Sequence, residues 1–476
     1  MISRGLEIQH LWIDALCIFQ EDESDWLEQS SQMSHIYGSS TVTIASVDTE
    51  AVSQSFLRPR DTQYVEISWK ACAKQRESEQ CRNSQKVYAS HSWATQHDQL
   101  IGPWSKRGWT LQEGLLPSRI LFYSSHQIAW KCCRMVRFER GLQHDPMIEI
   151  GRSIADEPGG RDFWRFDLFT KFKLLPWYMQ SPECHSEHDK YRIWYDMVED
   201  YSARRVKYTR DRLVAISGLA KIYGDVLGDY RYFAGLWQSD MLRGLLWYAQ
   251  GMRLFDSNLS HPTVVEVKAP SWSWARAPSG SAIRNDWTNS GFRPLAAVKN
   301  VSRVPVESNN PFSGVSSTRL TIRGPVYRFP QLYHPSWRSA SSFLSAFERH
   351  LSCVVEFDYG EKANDFSREG CFAALLLLQE FPPLSHRVDA LILKTLPPHE
   401  DGKGRVLERL GVLKLSFYSK STTSSSTLRA LRRMERSLEH RLNPGAGPRR
   451  SKRFSCEEVF EEYSRSPWRY ETVAIV

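Results

Sequence analysis

The sequence predicts an α/β protein with a parallel-sheet domain first, a helical region next and a strand-rich region last. Three observations carry this prediction. A strand–helix–strand pattern occupies the first 45 residues, apolar residues recur at helical spacing between 188 and 252, and short β-branched or aliphatic runs recur from 320 to 415. A chain of 476 residues is also long enough for two or three domains, each with its own core.

The first region is predicted from three segments. The apolar run 10–13 predicts a short buried strand. Ser24 or Asp25 can cap a helix that continues through Tyr37. The β-branched run 41–45 predicts a second strand. Because a strand, a helix and a strand at this spacing form a compact unit, a parallel sheet is expected.

The next part of the chain is less regular. Residues 47–105 are polar and give no clear pattern, and a helix is predicted to begin near Lys106. Two strands are predicted at 119–123 and 127–132. The segment 141–187 is rich in Gly, Pro and charged residues, which predicts a linker or insertion.

The remaining chain is predicted to be helical and then strand-rich. The predicted helices are 190–201, 211–223 and 242–249. The strand-rich part begins at Pro270-Ser271-Trp272-Ser273-Trp274, and its predicted strands are 320–322, 354–357, 372–378, 390–393 and 406–415. The predicted regions are therefore 1–140 (sheet domain), 141–187 (linker), 188–255 (helical), 256–420 (strand-rich), 421–455 (basic insertion) and 456–476 (C-terminal segment).

Composition and cysteine usage predict an intracellular protein. The nine cysteines are scattered without a C-x-x-C pair, which favours reduced thiols in the cytoplasm or nucleus. The N-terminus lacks the apolar core of a secretory signal, and the run 371–378 is too short to span a bilayer, so no membrane partner is expected. Cys184-His185 with His188 lacks a second ligand pair, so no metal site is predicted.

The basic charge of the chain is local. Residues 420–453 contain ten basic and two acidic residues, which together equal the net charge of +8. Within this stretch, 427–442 predicts a basic helix, and 448–453 reads Pro-Arg-Arg-Ser-Lys-Arg. Nucleic-acid binding, a nuclear-import address and a solvated tail all fit such a run. Nucleic acid is not the expected partner, because the rest of the chain is electrically balanced.

The motif Arg107-Gly108-Trp109-Thr110-Leu111-Gln112-Glu113 carries the strongest chemical signal. Trp109 and Glu113 are four residues apart, so a helix places them on one face, one turn apart. A carboxylate beside a flat ring suits a ligand with an aromatic base and a sugar. The alternative is that Trp109 packs in the core and Glu113 is a solvated helix residue. The chain has no glycine-rich phosphate-binding motif and no G-x-S-x-G motif.

Two further residues follow the predicted strand 10–13. Asp14 would lie at the sheet edge where α/β folds bind ligands, or it would cap a helix or brace a loop. Cys17 could be a nucleophile. Without a basic partner nearby in the sequence, a role as a small buried hydrophobe is favoured.

These motifs together resemble a known family. Residues 11–20, Asp25-Trp26, 33–37 and 43–45 resemble the central motif of the fungal heterokaryon-incompatibility (HET) domain, and 107–113 matches its third motif. Three downstream stretches resemble the C-terminal region common in these proteins, namely 201–218, 234–237 and 269–274. HET domains usually begin with an earlier strand and helix, so the resemblance implies an incomplete domain.

The resemblance also implies chemistry. HET domains are similar to TIR domains, which share a flavodoxin-like α/β fold, and some TIR domains cleave NAD with a helix Glu four residues after a Trp. By this likeness Glu113 would be the catalytic carboxylate, and the residues that bind NAD as substrate would be Trp109, Asp14, Arg107 and Gln112. No separate cofactor would be required, and the missing N-terminal part of the domain would impair the activity.

The function that the resemblance implies is self/non-self recognition and programmed cell death in fungi. The expected partners are proteins of incompatibility signalling and further copies of the chain. A non-catalytic interaction module, or a degenerate remnant of such a domain, is the alternative.

Overall fold

The computed structural model forms two compact units, Met1–Glu183 and Cys184–Val476. The boundary between them falls within the predicted linker 141–187. The structure describes residues 2–51, 53–57, 64–69, 85–90, 102–125, 127–139, 143–144, 168–180, 184, 189–250, 269–277, 280–285, 292–305, 310–328, 351–357, 372–380, 385–396, 406–418 and 468–476. The predicted basic helix 427–442, the run 448–453, His185 and His188 lie outside these residues.

The longest described helix of the first unit confirms the helix predicted near the N-terminus. Helix α3 spans Glu23–Ser39, and its cap is Asp22 rather than Ser24 or Asp25. The Asp22 carboxylate accepts hydrogen bonds from the backbone N–H groups of Ser24 (2.8 Å) and Asp25 (3.2 Å), which satisfies two otherwise unpaired donors. The other described helices of this unit are α1 Ile2–Gly5, α2 Asp14–Cys17, α4 Thr110–Leu115, α5 Leu168–Lys173 and α6 Leu175–Gln180.

The main sheet of the first unit is mixed. Its strands are β1 Thr43–Ser46, β4 Arg119–Tyr123, β5 Ile128–Cys132, β6 Val136–Phe138 and β7 Gln143–His144, paired in that order. The expected parallel arrangement occurs only between β1 and β4, and the other three pairs are antiparallel. Short connections join β4 to β7, and short connections produce antiparallel neighbours. A separate hairpin pairs β2 Tyr64–Trp69 with β3 Gln85–Ser90.

The prediction of a strand at 10–13 was wrong. These residues form no strand, and α2 begins directly after them. The carbonyl of Ile13 accepts hydrogen bonds from the N–H groups of Leu16 (2.9 Å) and Cys17 (2.8 Å), so the chain turns into a helix here. Leu11 and Ile13 are exposed, so the apolar run is not an internal strand.

Helix α4 begins later than predicted and packs by its apolar residues. A short 3₁₀ helix, Trp104–Lys106, precedes it. Leu111 and Leu115 of α4 are buried with the sheet residues Ala45, Ile120 and Phe122. From α5, Lys173 Nζ donates a hydrogen bond to the carbonyl of Leu116 at the C-terminal end of α4 (2.7 Å). This cation satisfies a carbonyl at the negative end of the helix.

The helical part of the second unit confirms two of three predicted helices. Helix α7 spans Asp189–Ser202 and α8 spans Asp211–Leu227. The third helix, α9, spans only Met241–Gly244, and Tyr248–Gln250 instead forms strand β10. Strand β10 pairs with β11, Ala282–Arg284. The Trp247 indole is buried and donates to the carbonyl of Trp272 (2.9 Å), a tertiary contact that overrides helical spacing.

The strand-rich part of the second unit is confirmed. Two small strands, β8 Tyr232–Phe233 and β9 Leu236–Trp237, form a hairpin. An eight-stranded sheet contains β12 Phe292–Pro294, β13 Ala297–Pro305, β14 Val315–Arg328, β15 Leu351–Phe357, β16 Phe372–Glu380, β17 Ser385–Thr395, β18 Val406–Tyr418 and β19 Trp468–Ile475. Because β14 also pairs with β16, the pairing runs in a closed circuit through β16, β17, β18, β19 and β14.

Helices that could cross a membrane were sought in the part of the chain that the structure describes. No described helix combines the necessary length with sufficient apolar character.

Candidate functional site

Tyr37, near the C-terminal end of α3, lies at the centre of the candidate site. Its ring meets Trp12 edge-on, with 5.6 Å between ring centroids. Burial raises the pKa of the Tyr37 phenol above its ordinary value, the negative charges of Glu113 and Asp14 raise it further, and Arg107 lowers it. Three of the predicted site residues, Glu113, Asp14 and Arg107, therefore act on the Tyr37 hydroxyl through their charges.

The loop before α4 is fixed against the end of β1. The N–H of Trp104 donates to the carbonyl of Val47 (3.2 Å), and the N–H of Val47 donates to the carbonyl of Tyr123 (2.9 Å). Gly102 approaches the same Val47 so closely that an added Cβ would lie 2.4 Å from its carbonyl oxygen. Only glycine fits this approach, so the loop is locked to the sheet before α4 begins.

Trp104 holds the predicted catalytic acid. Its indole Nε1 donates a hydrogen bond to Glu113 Oε2 (3.2 Å), and its ring packs edge-on against Phe122 at 5.7 Å. Thr110 ties the loop to α4, because its Oγ1 lies 2.7 Å from the carbonyl of Trp104 and 2.6 Å from that of Arg107. Sequence reasoning did not single out Trp104. The sequence signal that could have identified Trp104 is its position as a second tryptophan just before the motif 107–113.

The motif residues differ in exposure. Thr110, Leu111 and Gln112 are buried, Trp109 and Glu113 are half-buried, and Arg107 is exposed. The N–H groups of Gln112 and Glu113 lie 3.1 and 3.5 Å from the carbonyl of Trp109, so Trp109 and Glu113 are one helical turn apart, as the spacing predicts. The ring of Trp109 contacts Trp26 of α3 edge-on at 6.2 Å. Gln112 is interior, and its role as a ligand contact stays a prediction.

Asp14 and Cys17 lie on the surface helix α2. Asp14 Oδ1 accepts from the N–H of Ala15 (2.8 Å), and Gln20 Nε2 donates to the carbonyl of Asp14 (3.1 Å). Asp14 therefore braces its turn while lying near Tyr37. Cys17 is an exposed free thiol, so its expected role as a buried hydrophobe was wrong. The reason is that the preceding residues are a surface turn and not an internal strand.

This arrangement combines groups with complementary chemistry. The carboxylates of Asp14 and Glu113 can accept hydrogen bonds from sugar hydroxyls or stabilise a developing positive charge. The Arg107 guanidinium, which is exposed, suits a phosphate group. Indole rings offer flat surfaces to an aromatic base. Among the described residues, no group of three His, Cys, Asp or Glu side chains is placed to hold a metal ion.

The three downstream stretches that resemble the C-terminal region of HET proteins meet in the core of the second unit. The indoles of Trp194 (3.1 Å) and Trp274 (3.0 Å) both donate to the carbonyl of Gly235. Ser273 Oγ donates to the carbonyl of Ala234 (2.6 Å). The ring of Tyr201, whose hydroxyl donates to the carbonyl of Arg212 (2.6 Å), meets the ring of Trp274 edge-on at 5.8 Å. These motifs therefore brace a buried core.

Comparison with known families identifies the first part of the chain. Residues 1–113 match the family model described as Heterokaryon incompatibility protein (HET). This match, the HET region, confirms the resemblance over residues 1–113, whereas the downstream stretches and the likeness to TIR domains stay predictions. It contains Asp14, Tyr37, Trp104, Trp109 and Glu113. A search of curated proteins and a search of solved structures each gave no match.

Proposed function

We propose that this chain is a HET-type signalling protein that acts in fungal self/non-self recognition and programmed cell death. The match of residues 1–113 supports the link to heterokaryon incompatibility. In this proposal the protein works in the cytoplasm or nucleus, binds protein partners of incompatibility signalling and associates with itself. Its recognition uses neither a membrane nor nucleic acid.

The chemical part of the proposal is that the site cleaves NAD, as a TIR-like site would. One observation carries it: Glu113 is half-buried, is oriented by the Trp104 indole, and shares the surroundings of Tyr37 with Asp14 and Arg107. Cleavage of the nicotinamide–ribose bond develops positive charge on the ribose, which a fixed carboxylate stabilises. Because nicotinamide leaves as a neutral molecule from a charged ring, no second acid is needed. Water then bonds to the ribose carbon, which gives ADP-ribose and releases a proton.

The other residues have binding roles in this mechanism. Arg107 attracts the pyrophosphate, Trp109 offers its ring to a base, and Asp14 accepts from a ribose hydroxyl. Gln112, which is buried on the same helix, keeps its predicted role as a contact to NAD. NAD is the substrate, and no further cofactor takes part.

Purified full-length chain tests the enzymatic proposal directly. We expect release of nicotinamide from NAD, followed by chromatography, and a loss of at least about 100-fold in Glu113→Gln, because a preorganised charge-stabilising group is removed. The matched control is Glu50→Gln, which neutralises an exposed acid of the same unit. Absence of nicotinamide release from the unmutated chain, or equal rates in the two variants, would reject NAD cleavage.

A non-catalytic interaction module is the second candidate, and the hydrogen bond from Trp104 favours it, since Glu113 can also brace the loop. Glu113→Gln separates the two functions, because its amide oxygen still accepts from the indole but carries no charge. Under the enzymatic function this variant loses the cell-death response in a fungal co-expression assay. Under the bracing function it keeps the response, and Glu113→Ala loses it.

A further inference from the structure

Lys173, the last residue of α5, has a side-chain amine in largely apolar surroundings. Its Nζ lies 5.5 Å from the ring centroid of Phe169 and 5.9 Å from that of Phe172, and both rings are buried. Its hydrogen bond goes to the neutral carbonyl of Leu116 (2.7 Å). Among the described residues, the partners of this amine are therefore two rings and one carbonyl, and none is a carboxylate. Ring faces cannot replace the hydrogen bonds that water makes to an ammonium group, so the charged form is destabilised.

A second ammonium group, that of Lys131 in β5, lies over the same ring. Lys131 is buried, and its Nζ is 4.7 Å from the Phe169 centroid. The two ammonium groups are thus within about 10 Å of each other, a distance at which like charges still repel. Burial lowers the pKa of the Lys173 amine to about 8, against a smaller opposite effect of Cys133. Apolar surroundings and a neighbouring cation are the features that make a lysine nucleophilic near neutral pH.

The hydrogen bond to Leu116 decides which product fits these surroundings. A secondary amide made from the Lys173 amine retains one N–H, which can still donate to the Leu116 carbonyl. An uncharged imine, the product with an aldehyde, has no N–H to donate. A small acyl group is also uncharged, so it suits a place beside the rings of Phe169 and Phe172. Acylation is therefore the modification that this place favours.

We propose that Lys173 is an acylation site that reacts with small acyl thioesters. The uncharged amine nitrogen forms a bond to the thioester carbonyl carbon, the C–S bond breaks, and the thiolate leaves and takes up the proton that the nitrogen loses. The product is a neutral amide and a thiol. Acylation thereby removes a cation from the negative end of α4, the helix that carries Glu113. This inference goes beyond the proposed function and does not depend on it.

Incubation of the purified full-length chain with acetyl-coenzyme A near neutral pH tests the proposal. Peptide mass spectrometry gives the acetylation rate of each lysine. Lys173 should react at least about tenfold faster than Lys171, which is half-buried on the same helix, because more of its amine is uncharged than in an ordinary lysine. Lys106 is exposed and serves as the reference for accessibility. Rates that follow exposure, with Lys106 fastest, overturn the proposal.

The pH dependence of acetylation provides a second readout. The rate at Lys173 should level off as the pH rises past about 8, where its amine has lost its proton. A rate at Lys173 that still climbs steeply between about pH 9 and pH 10, as expected of an ordinary lysine, overturns the proposal.

The role of the fold is tested in denaturant and by substitution. In a concentrated denaturant the preference for Lys173 should disappear, and a preference that persists would overturn the structural cause. Lys173→Arg should lose the fast phase of acetyl uptake in the intact mass, and the matched control Lys171→Arg should keep it. The reverse pattern overturns the proposal. These measurements do not involve NAD, so their failure is distinguishable from failure of NAD cleavage.

Discussion

The indole Nε1 of Trp104 donates a hydrogen bond to Oε2 of Glu113 across 3.2 Å. This bond joins the loop before α4 to the acid on its first turns. The loop is itself fixed to β1 by the hydrogen bond from Trp104 N–H to the Val47 carbonyl. The direction of the carboxylate therefore depends on the end of the sheet, which is the kind of preorganisation that a charge-stabilising group requires.

Trp104→Phe should show the value of this hydrogen bond. The ring still packs against Phe122, but the N–H donor is lost. Hydrogen bonds to charged groups contribute about 1.5–3 kcal/mol, and solvent screening of the half-buried Glu113 reduces the expected loss of stability below this range, to about 1 kcal/mol. Nicotinamide release should fall at least about tenfold. Thermal unfolding and NAD turnover measure the two effects. Trp177→Phe, at an exposed tryptophan of the same unit, should change neither.

Tyr37 should resist ionisation in alkaline solution. Burial, and then the charges of Glu113 and Asp14, raise the pKa of its phenol, so the folded protein retains this proton where the unfolded chain releases it. Its contribution to stability is fully present below the ordinary tyrosine pKa and is lost as the pH rises above it. Tyr37→Phe should therefore flatten the alkaline decline of the free energy of unfolding. Tyrosinate absorbance from Tyr37, detected as a difference from Tyr37→Phe in the folded protein near pH 10, would contradict this expectation.

Asp211 should make the second unit less stable at neutral pH. Burial raises the pKa of its carboxyl from 3.8 to about 6, against a smaller opposite effect of Arg210. The folded state thus binds a proton more tightly than the unfolded chain. The contribution of the protonated Asp211 to the free energy of unfolding is fully present below pH 3.8 and is lost as the pH rises through about 6.

Asp211→Asn tests this effect. The neutral variant should be more stable at pH 7, by up to about 3 kcal/mol, and the gain should shrink towards pH 4. Chemical denaturation at several pH values measures it. Asp225→Asn, at an exposed acid of the same helix, should differ by no more than about 0.5 kcal/mol at any pH. A gain that does not vary with pH would show that desolvation of the charge is not the cause.

Gly235→Ala should destabilise the second unit strongly. Gly235 has a φ of +97°, and an added Cβ would lie 2.3 Å from the Trp274 Nε1. Backbone strain costs about 1–3 kcal/mol and overpacking a further 1–3 kcal/mol. The matched control is Gly228→Ala, at a φ of +66° with no atom within 4 Å of the added Cβ. Gly228→Ala should lower the free energy of unfolding only by the cost of backbone strain. Equal costs for the two variants, measured by denaturation, would contradict the steric argument.

Local sequence patterns predicted correctly those helices and strands whose conformation depends mainly on their own residues. The helix at 23–39, the strand at 119–123 and the helix at 211–227 follow from caps, β-branched runs and apolar spacing. The four-residue spacing of Trp109 and Glu113 also gave their separation of one helical turn. Such features depend on neighbours in sequence, so the sequence suffices.

Elements that depend on distant partners were predicted less well. The apolar run 10–13 has the composition of a strand but forms a surface turn, and 248–250 has helical spacing but pairs with β11. The mixed pairing of the first sheet likewise depends on which strands meet. The prediction of a parallel sheet was correct only for the β1–β4 pair. Propensity is a weak guide when tertiary contacts compete with it.

The sequence by itself determined the likeness of residues 1–113 to the HET family, the order of the motifs and the spacing of Glu113 one turn from its tryptophan, because those follow from residue types and short spacings. Only the tertiary structure brought Asp14, Arg107 and Glu113 to the surroundings of Tyr37 and placed Trp104 as the donor to the acid. The physical reason is that a hydrogen bond or a charge effect between segments up to about 100 residues apart depends on how helices and strands pack, which no local pattern encodes.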